Sequence, residues 1–345
     1  MDRFLIIRFG SIGNTLVCIP AVRAIKKKYP DSFIAMIVSP GIDQLIRDIK
    51  WIDECIVYDM HGAHKNLPAY FRFIHELRKK RFDTAIMFKR FLRSELIGLL
   101  SGAKRRIGFE TGGKSNFLTD RVEYIEGENI VKLNMGLLGP LGIQDTDLSL
   151  EIGIENCLAY KSMSTASELK SRGCGKYAVV HPGGRTVKGE GLAIEGYSEI
   201  ITRLYEMHKV PSAVIGDVSE TGVIEKILDL CKPGSATAAT GLTLKDVCCL
   251  IKHAGIFIGN DSGPCHIADA VGTPGIIIYP PLFGLQAHIK KWKPAGDNYI
   301  AVTPPGSCET CNEYPCDDER RTACMRSIDI DLILKYTVQI LNLKS

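Results

Sequence analysis

At 345 residues, the chain is long enough to bury two separate cores. With 45% hydrophobic and 24% charged residues, it is not a disordered or low-complexity polymer. The net charge of +4 is uneven: residues 1–120 carry 21 Lys and Arg against 12 Asp and Glu, the remainder 22 against 27.

Taken in order, short β-rich apolar runs alternate with longer amphipathic stretches, the pattern of a parallel α/β sheet. In the first half the runs at 4–9, 32–38, 55–58, 84–88 and 106–108 read as strands. Helices are expected at 15–29, 44–49, 69–80, 94–100 and 129–141, and the pattern is less clear between 112 and 128. In the second half, strands are expected at 177–181, 212–216, 236–240, 256–259 and 275–279. Helices fall at 195–207, 220–230, 244–254, 264–271 and 332–343. The division expected is 1–165, 166–325 and a closing helix 326–345: two Rossmann-like α/β domains facing across a cleft, with the helix crossing back to the first.

The basic excess sits in clusters, Lys26-Lys27-Lys28, Lys79-Lys80-Arg81, Lys89-Arg90 and Lys104-Arg105-Arg106. They favour an anionic partner such as a phosphorylated lipid or a membrane surface, and equally suit solvated helix ends. Nucleic acid is disfavoured, because no aromatic residues interleave with the cations. No apolar run approaches about 18 residues, and the start lacks the apolar core of a signal peptide. The expectation is a cytoplasmic protein with at most a peripheral membrane role.

Three loops follow strand ends, where folds of this kind bind ligands. The first, Arg8-Phe9-Gly10-Ser11-Ile12-Gly13-Asn14-Thr15, turns sharply through its glycines but lacks the spacing of a dinucleotide fingerprint. The second runs from His181-Pro182-Gly183-Gly184 to Arg185 and Lys188, two cations able to neutralise a leaving diphosphate, or simply a flexible basic loop. Beyond the next strand, Gly216 to Glu220 places a carboxylate that can hold a ribose or favour a helix start. The third, Asn260-Asp261-Ser262-Gly263-Pro264-Cys265-His266, opens a helix whose first amides and Ser262 hydroxyl suit a phosphate. Asp261 would then face a sugar, since a diphosphate repels it. The plainer alternative makes Asp261 or Ser262 an N-cap.

Together and in order, these blocks resemble glycosyltransferase family 9, the heptosyltransferases of lipopolysaccharide core assembly. The likeness runs through Gly13-Asn14-Thr15, His181-Pro182-Gly183-Gly184, Gly241-Leu242-Thr243-Leu244, the Asn260–His266 block and Ala270-Val271-Gly272-Thr273-Pro274. It implies a GT-B fold and inverting transfer from an ADP-heptose held by the second domain to an anionic lipid-linked saccharide on the first. It also implies that catalysis needs no metal or other cofactor. The site residues so implied are Asn14, Asp261 and Lys188 for catalysis and Arg185, Gly216, Glu220, Ser262, Gly263 and His266 for the donor. Gly13 and Thr15 belong to the acceptor loop. Two positions depart from the family pattern. Asn14 stands where the family has an Asp that looks like the general base, and Gly189-Glu190-Gly191 replaces a Trp-Pro segment after Lys188. A weak or inactive sugar-nucleotide binder is therefore the alternative.

Twelve cysteines without an export signal point to thiols or metal ligation rather than a disulfide scaffold. Cys308, Cys311, Cys316 and Cys324 lie close enough in sequence for a structural zinc or an iron–sulfur cluster, or they stand as free thiols or air-formed disulfides. The other eight, Cys157 and Cys249 among them, read as core or near-core residues.

Overall fold

The computed structural model describes residues 1–345 except 111–116, 155, 188–190, 281–284, 295, 297, 306–317 and 344–345. Two compact units divide the chain, Met1–Glu155 and Asn156–Ser345.

The first unit holds a six-stranded parallel sheet. Its strands are β1 (Arg3–Ile7), β2 (Phe33–Val38), β3 (Glu54–Val57), β4 (Thr84–Met87), β5 (Arg105–Phe109) and β6 (Asp120–Val122). Their order across the sheet is β3-β2-β1-β4-β5-β6. Leu5, Ile6 and Ile7 are fully buried, which is why β1 reads as one apolar run rather than an alternation. Full burial of side chains of this size stabilises the fold by roughly 1.5–3 kcal/mol each.

The flanking helices have identifiable starts and ends. Helix Leu67–Lys79 is capped by the Asn66 side chain, which accepts from the Ala69 amide at 2.9 Å, and Pro68 sits in its first turn. Helix Ile19–Lys28 also has a proline near its start and ends on Lys26, Lys27 and Lys28, which complement its negative end. Two of those lysines form ion pairs within the unit, Lys26 with Asp53 at 3.0 Å and Lys27 with Asp145 at 3.1 Å. Lys28 donates to the carbonyls of Leu141 and Gly142, Lys80 pairs with Glu54 and Arg105 with Asp120. Much of the basic excess therefore has structural partners.

The second unit repeats the winding with β7 (Ala178–His181), β8 (Ser212–Gly216), β9 (Ala236–Thr240), β10 (Ile256–Asn260), β11 (Gly275–Ile278) and β12 (Tyr299–Val302). Their order is β12-β11-β10-β7-β8-β9, so the third, second, first, fourth, fifth and sixth strands succeed one another in both sheets. Every strand pair is parallel. In each sheet the order reverses between the first and fourth strands, and ligands of such folds bind at the carboxyl ends flanking that point.

Helix Leu244–Lys252 opens with a capping box between Thr243 and Asp246. The closing helix Ile330–Leu341, expected from the sequence to return toward the first half, buries Ile333, Leu334 and Leu341 in the core of the second unit. Strands β6 and β12 and the helices Ser162–Ser171, Leu285–Trp292 and Asp318–Arg326 are additions to the sequence reading. Cys157 and Cys249, expected as separate core residues, are joined in a disulfide with Cα atoms 5.3 Å apart. Their 92-residue separation gave no local signal, because only the packing of helix Ser162–Ser171 on helix Leu244–Lys252 brings the two segments together.

Candidate active site

In the first unit, the loop after β1 is organised by a buried cation. The Arg8 side chain, 5% exposed, donates from Nη1 to the Phe88 carbonyl at 3.1 Å and from Nε to the Asn14 carbonyl at 2.9 Å. Its Nη2 donates to Asn14 Oδ1, and Asn14 Nδ2 donates to Ser11 Oγ at 2.9 Å. All these partners are neutral, and burial pushes the guanidinium pKa down. Asn14 lies partly exposed within the one-turn helix Ile12–Leu16, at the switch point where Phe88 ends the β4 side. Gly13 and Thr15 are buried, and the Thr15 hydroxyl donates to the Ser11 carbonyl at 3.3 Å. Both residues shape the turn that presents Asn14.

In the second unit, three loops converge at the ends of β7, β8 and β10. His181 closes β7, only 6% exposed, with Nδ1 3.0 Å from Ser262 Oγ and Nε2 3.5 Å from Glu220 Oε2. Glu220 also accepts from the Asp217 amide at 2.9 Å, completing a capping box at the start of the short 3-10 turn Val218–Glu220. Gly216 makes room for it, because a Cβ there would lie 2.8 Å from Glu220 Oε2 and 2.7 Å from Ile224. Asn260 donates its amide to the Pro182 carbonyl and to Thr186 Oγ1, binding the loop after β7 to the loop after β10.

Ser262 occupies the N-cap position of helix Gly263–Val271 but makes no side-chain capping bond. Its hydroxyl meets His181 and the Asn260 carbonyl instead, so the first-turn amides have no side-chain cap. Residues 261–264 are all partly exposed. Asp261 points elsewhere, with Oδ2 2.7 Å from His288 Nε2. His266 is buried within the first turn, its ring edge-on to Trp292, and its Nδ1 lacks a protein partner. Burial lowers its pKa against the raising effect of Asp261, so the ring is held toward its neutral form. The backbone of Arg185 lies in the short helix Gly183–Val187, whereas Lys188 falls outside the described residues.

Glu220 carries a testable pH signature. Burial alone would push its carboxyl up, but the bond and charge of His181 and the Asp217 amide outweigh burial and hold it below its ordinary value. A depressed carboxyl contributes stability above its unfolded pKa, and that stability is lost as pH falls through the lower folded value. Thermal melts should therefore show wild type losing stability below the ordinary carboxylate range. Glu220→Gln should start less stable at neutral pH and change less across that window. Parallel melting curves for the two proteins would disprove the linkage.

Among the described residues, one trio has ligand atoms grouped as for a metal: Asp261, Cys265 and His266, all within 4.8 Å of one another. The set fits an ion poorly, since burial pushes the Cys265 thiol well up and opposes the thiolate a metal would need. Of the late cysteines, Cys308, Cys311 and Cys316 lie outside the described residues, and Cys324 sits half-buried on helix Asp318–Arg326.

The structure thus brings Glu220, Gly216, Ser262, Gly263, Asp261 and His266 to one end of the second sheet, and Asn14 to the matching end of the first. Three partners carried no assigned role in the sequence reading: His181, Asn260 and His288. His181 had a signal, since it closes a predicted strand directly before Pro-Gly-Gly. His288 had none, because the helix that carries it was not predicted.

Two parallel sheets of the same winding, each with polar loops at its switch point, define a two-domain Rossmann-type α/β protein. The model of glycosyltransferase family 9 (heptosyltransferase) matches residues 70–321, and the chain belongs to that family and is a glycosyltransferase. Lipopolysaccharide heptosyltransferase 3 of Escherichia coli K12 is 27% identical over 299 residues, 84% of each chain. A family 9 glycosyltransferase from Veillonella parvula shares the fold with a TM-score of 0.84 at 18% identity, covering 99% of this chain and 98% of that one. The E. coli heptosyltransferase WaaC, solved with ADP, has a TM-score of 0.76 at 16% identity, covering 98% and 99%. The fold expected from the sequence, two Rossmann-like α/β domains of the GT-B type, is the fold these structures share.

Proposed function

We propose that this chain is an inverting transferase that moves a heptose, or a related sugar, from an ADP-sugar to a lipopolysaccharide core or similar anionic lipid-linked saccharide. Its place would be cytoplasmic and peripheral, at the inner face of the inner membrane, with no metal or other cofactor in the chemistry. The observation that carries this reading is the Asp261-Ser262-Gly263-Pro264 turn. It is partly exposed at the switch point, opens a nine-residue helix without a side-chain cap, and holds the Ser262 hydroxyl on His181. Uncapped amides at such an end, with the positive helix terminus behind them, favour a diphosphate. Glu220 lies past the neighbouring strand, where a carboxylate can accept from ribose hydroxyls. Arg185 and Lys188 would neutralise the leaving ADP, and Asp261, kept off the phosphates by charge, would hold the sugar. WaaC, a structural relative, was solved with ADP, which supports the same donor class here.

The assay is ADP release from ADP-heptose in the presence of a lipopolysaccharide core acceptor. Release that depends on the acceptor is the expected result. Absence of release with every core acceptor, together with no binding of ADP, would end this reading. A second reading, a weak or inactive sugar-nucleotide binder, is favoured by one observation: Asn14 spends its carbonyl oxygen on Arg8 and cannot take a proton.

A further inference from the structure

The first unit exposes large apolar side chains at the same sheet end as Asn14. Leu67 is 71% exposed, Phe71 58%, Leu92 56% and Phe91 38%. They lie on two neighbouring helices, Leu67–Lys79 and Leu92–Leu100 with its N-cap Phe91, and make a patch joined beneath the surface by the buried rings of Tyr58 and Phe9. A chain of ring contacts connects them: Phe71 with Tyr70, Tyr70 with Tyr58, Tyr58 with Phe9, and Phe9 with Phe91, at centroid distances of 5.9, 6.4, 5.3 and 6.3 Å. Leu67 and Phe71 stand four residues apart and so share one helix face.

The charge around this patch is predominantly basic, with Asp59 and Glu76 just beyond its edge. Lys65, Arg72, Lys89, Arg90 and Arg93 are all exposed, and neither 60–75 nor 88–94 contains an Asp or Glu. Lys89 lies over the Phe91 ring at 5.1 Å, and Arg93 is close enough to Tyr70 to act on its hydroxyl electrostatically. Glu126, which meets Arg90 at 3.3 Å, is the one acidic partner of these five cations among the described residues. The clusters at 26–28 and 105–106 differ, being bound to carboxylates and carbonyls of their own unit.

We infer that this patch is a docking surface for an anionic lipid bilayer, with Leu67, Phe71 and Leu92 entering the headgroup boundary and Lys89 and Arg93 meeting lipid phosphates. Apolar area together with adjacent cations is what interfacial binding requires, since neither alone holds a protein at a membrane. A partner protein would have to bring matching acids at every cation, whereas an anionic bilayer offers mobile phosphates wherever a cation meets it. No helix among the described residues is long and apolar enough to cross a membrane, so attachment through this face is by the surface. The placement deepens the proposed function and rests on its lipid-linked acceptor. Phe88, which precedes the patch, accepts from the Arg8 that orients Asn14, so a saccharide rising from the docked surface emerges beside Asn14.

The test is flotation of the full chain with vesicles of phosphatidylcholine, with and without phosphatidylglycerol, at low and high salt. Binding should require phosphatidylglycerol and weaken with salt. Leu67→Ser with Phe71→Ser should lower partitioning at least about tenfold. Lys89→Glu with Arg93→Glu should lower it by more than roughly fivefold per residue. Unchanged melting temperatures and ADP affinity would show that both variants are folded. Wild type that ignores vesicles, or variants that bind as wild type does, would overturn the inference. So would an oligomer, seen by sedimentation velocity, that the Leu67 and Phe71 changes dissociate. Wild type that binds ADP but no vesicles would refute the docking surface alone. Vesicle binding without ADP binding would refute the donor assignment alone.

Discussion

Replacing Asn14 with Asp should raise sugar transfer by on the order of 10²–10⁴-fold, the usual worth of a positioned general base. An amide oxygen cannot take up the acceptor proton, whereas a carboxylate of the same shape can. The surroundings suit the exchange. Arg8 already points Nη2 at Oδ1 of residue 14, so the bond from cation to neutral amide would become an ion pair with the new carboxylate. Only the Nδ2 bond to Ser11 is lost, and that hydroxyl can rotate to donate. The melting temperature should hold or rise, because the buried guanidinium acquires an opposite charge. That cation would also keep the new carboxyl below its ordinary pKa, so the gain should persist across neutral pH and fade only in acid. Measured kcat and its pH profile decide the matter. An active wild type with an unchanged Asn14→Asp variant would place the base elsewhere.

The second large effect is expected at Asp261. If its carboxylate faces the sugar rather than the diphosphate, Asp261→Asn should lower kcat/KM for the ADP-sugar on the order of 10²-fold while ADP binds nearly as before. His288 bears on the same group, because its Nε2 lies 2.7 Å from Asp261 Oδ2 and fixes the direction of the carboxylate. His288→Gln, which can still donate, should cost much less. Equal losses of ADP and ADP-sugar affinity in Asp261→Asn, read by calorimetry, would mean that this residue only shapes the turn.

How much of this could be read from the sequence depended on range. The strands were legible because parallel strands buried on both faces leave unbroken apolar runs, as in Leu5–Ile7 and Ile256–Ile258. The turns were legible where Gly and Pro carry a conformational requirement, as in helix Gly263–Val271, with Pro264 in its first turn and Gly272 left-handed at its end. Strand β6 was missed because three residues, Asp-Arg-Val, give no periodicity, and β12 because Tyr-Ile-Ala-Val sits at the sheet edge behind an irregular segment. The strand-end loops that carry the named side chains were legible, but the partners of those side chains were not. His181 reaches Ser262 across 81 residues of sequence, and Asn260 reaches Pro182 across 78. Pairings of that span follow from strand order, which no local pattern encodes.

The shared strand order has one more consequence. Each half owns a full sheet, a private core and its own reversal point, so a change in the loops at one sheet end need not disturb the packing of the other. Drift in the loop bearing Asn14 leaves intact the Asn260 lacing that ties the loop after β7 to the loop after β10.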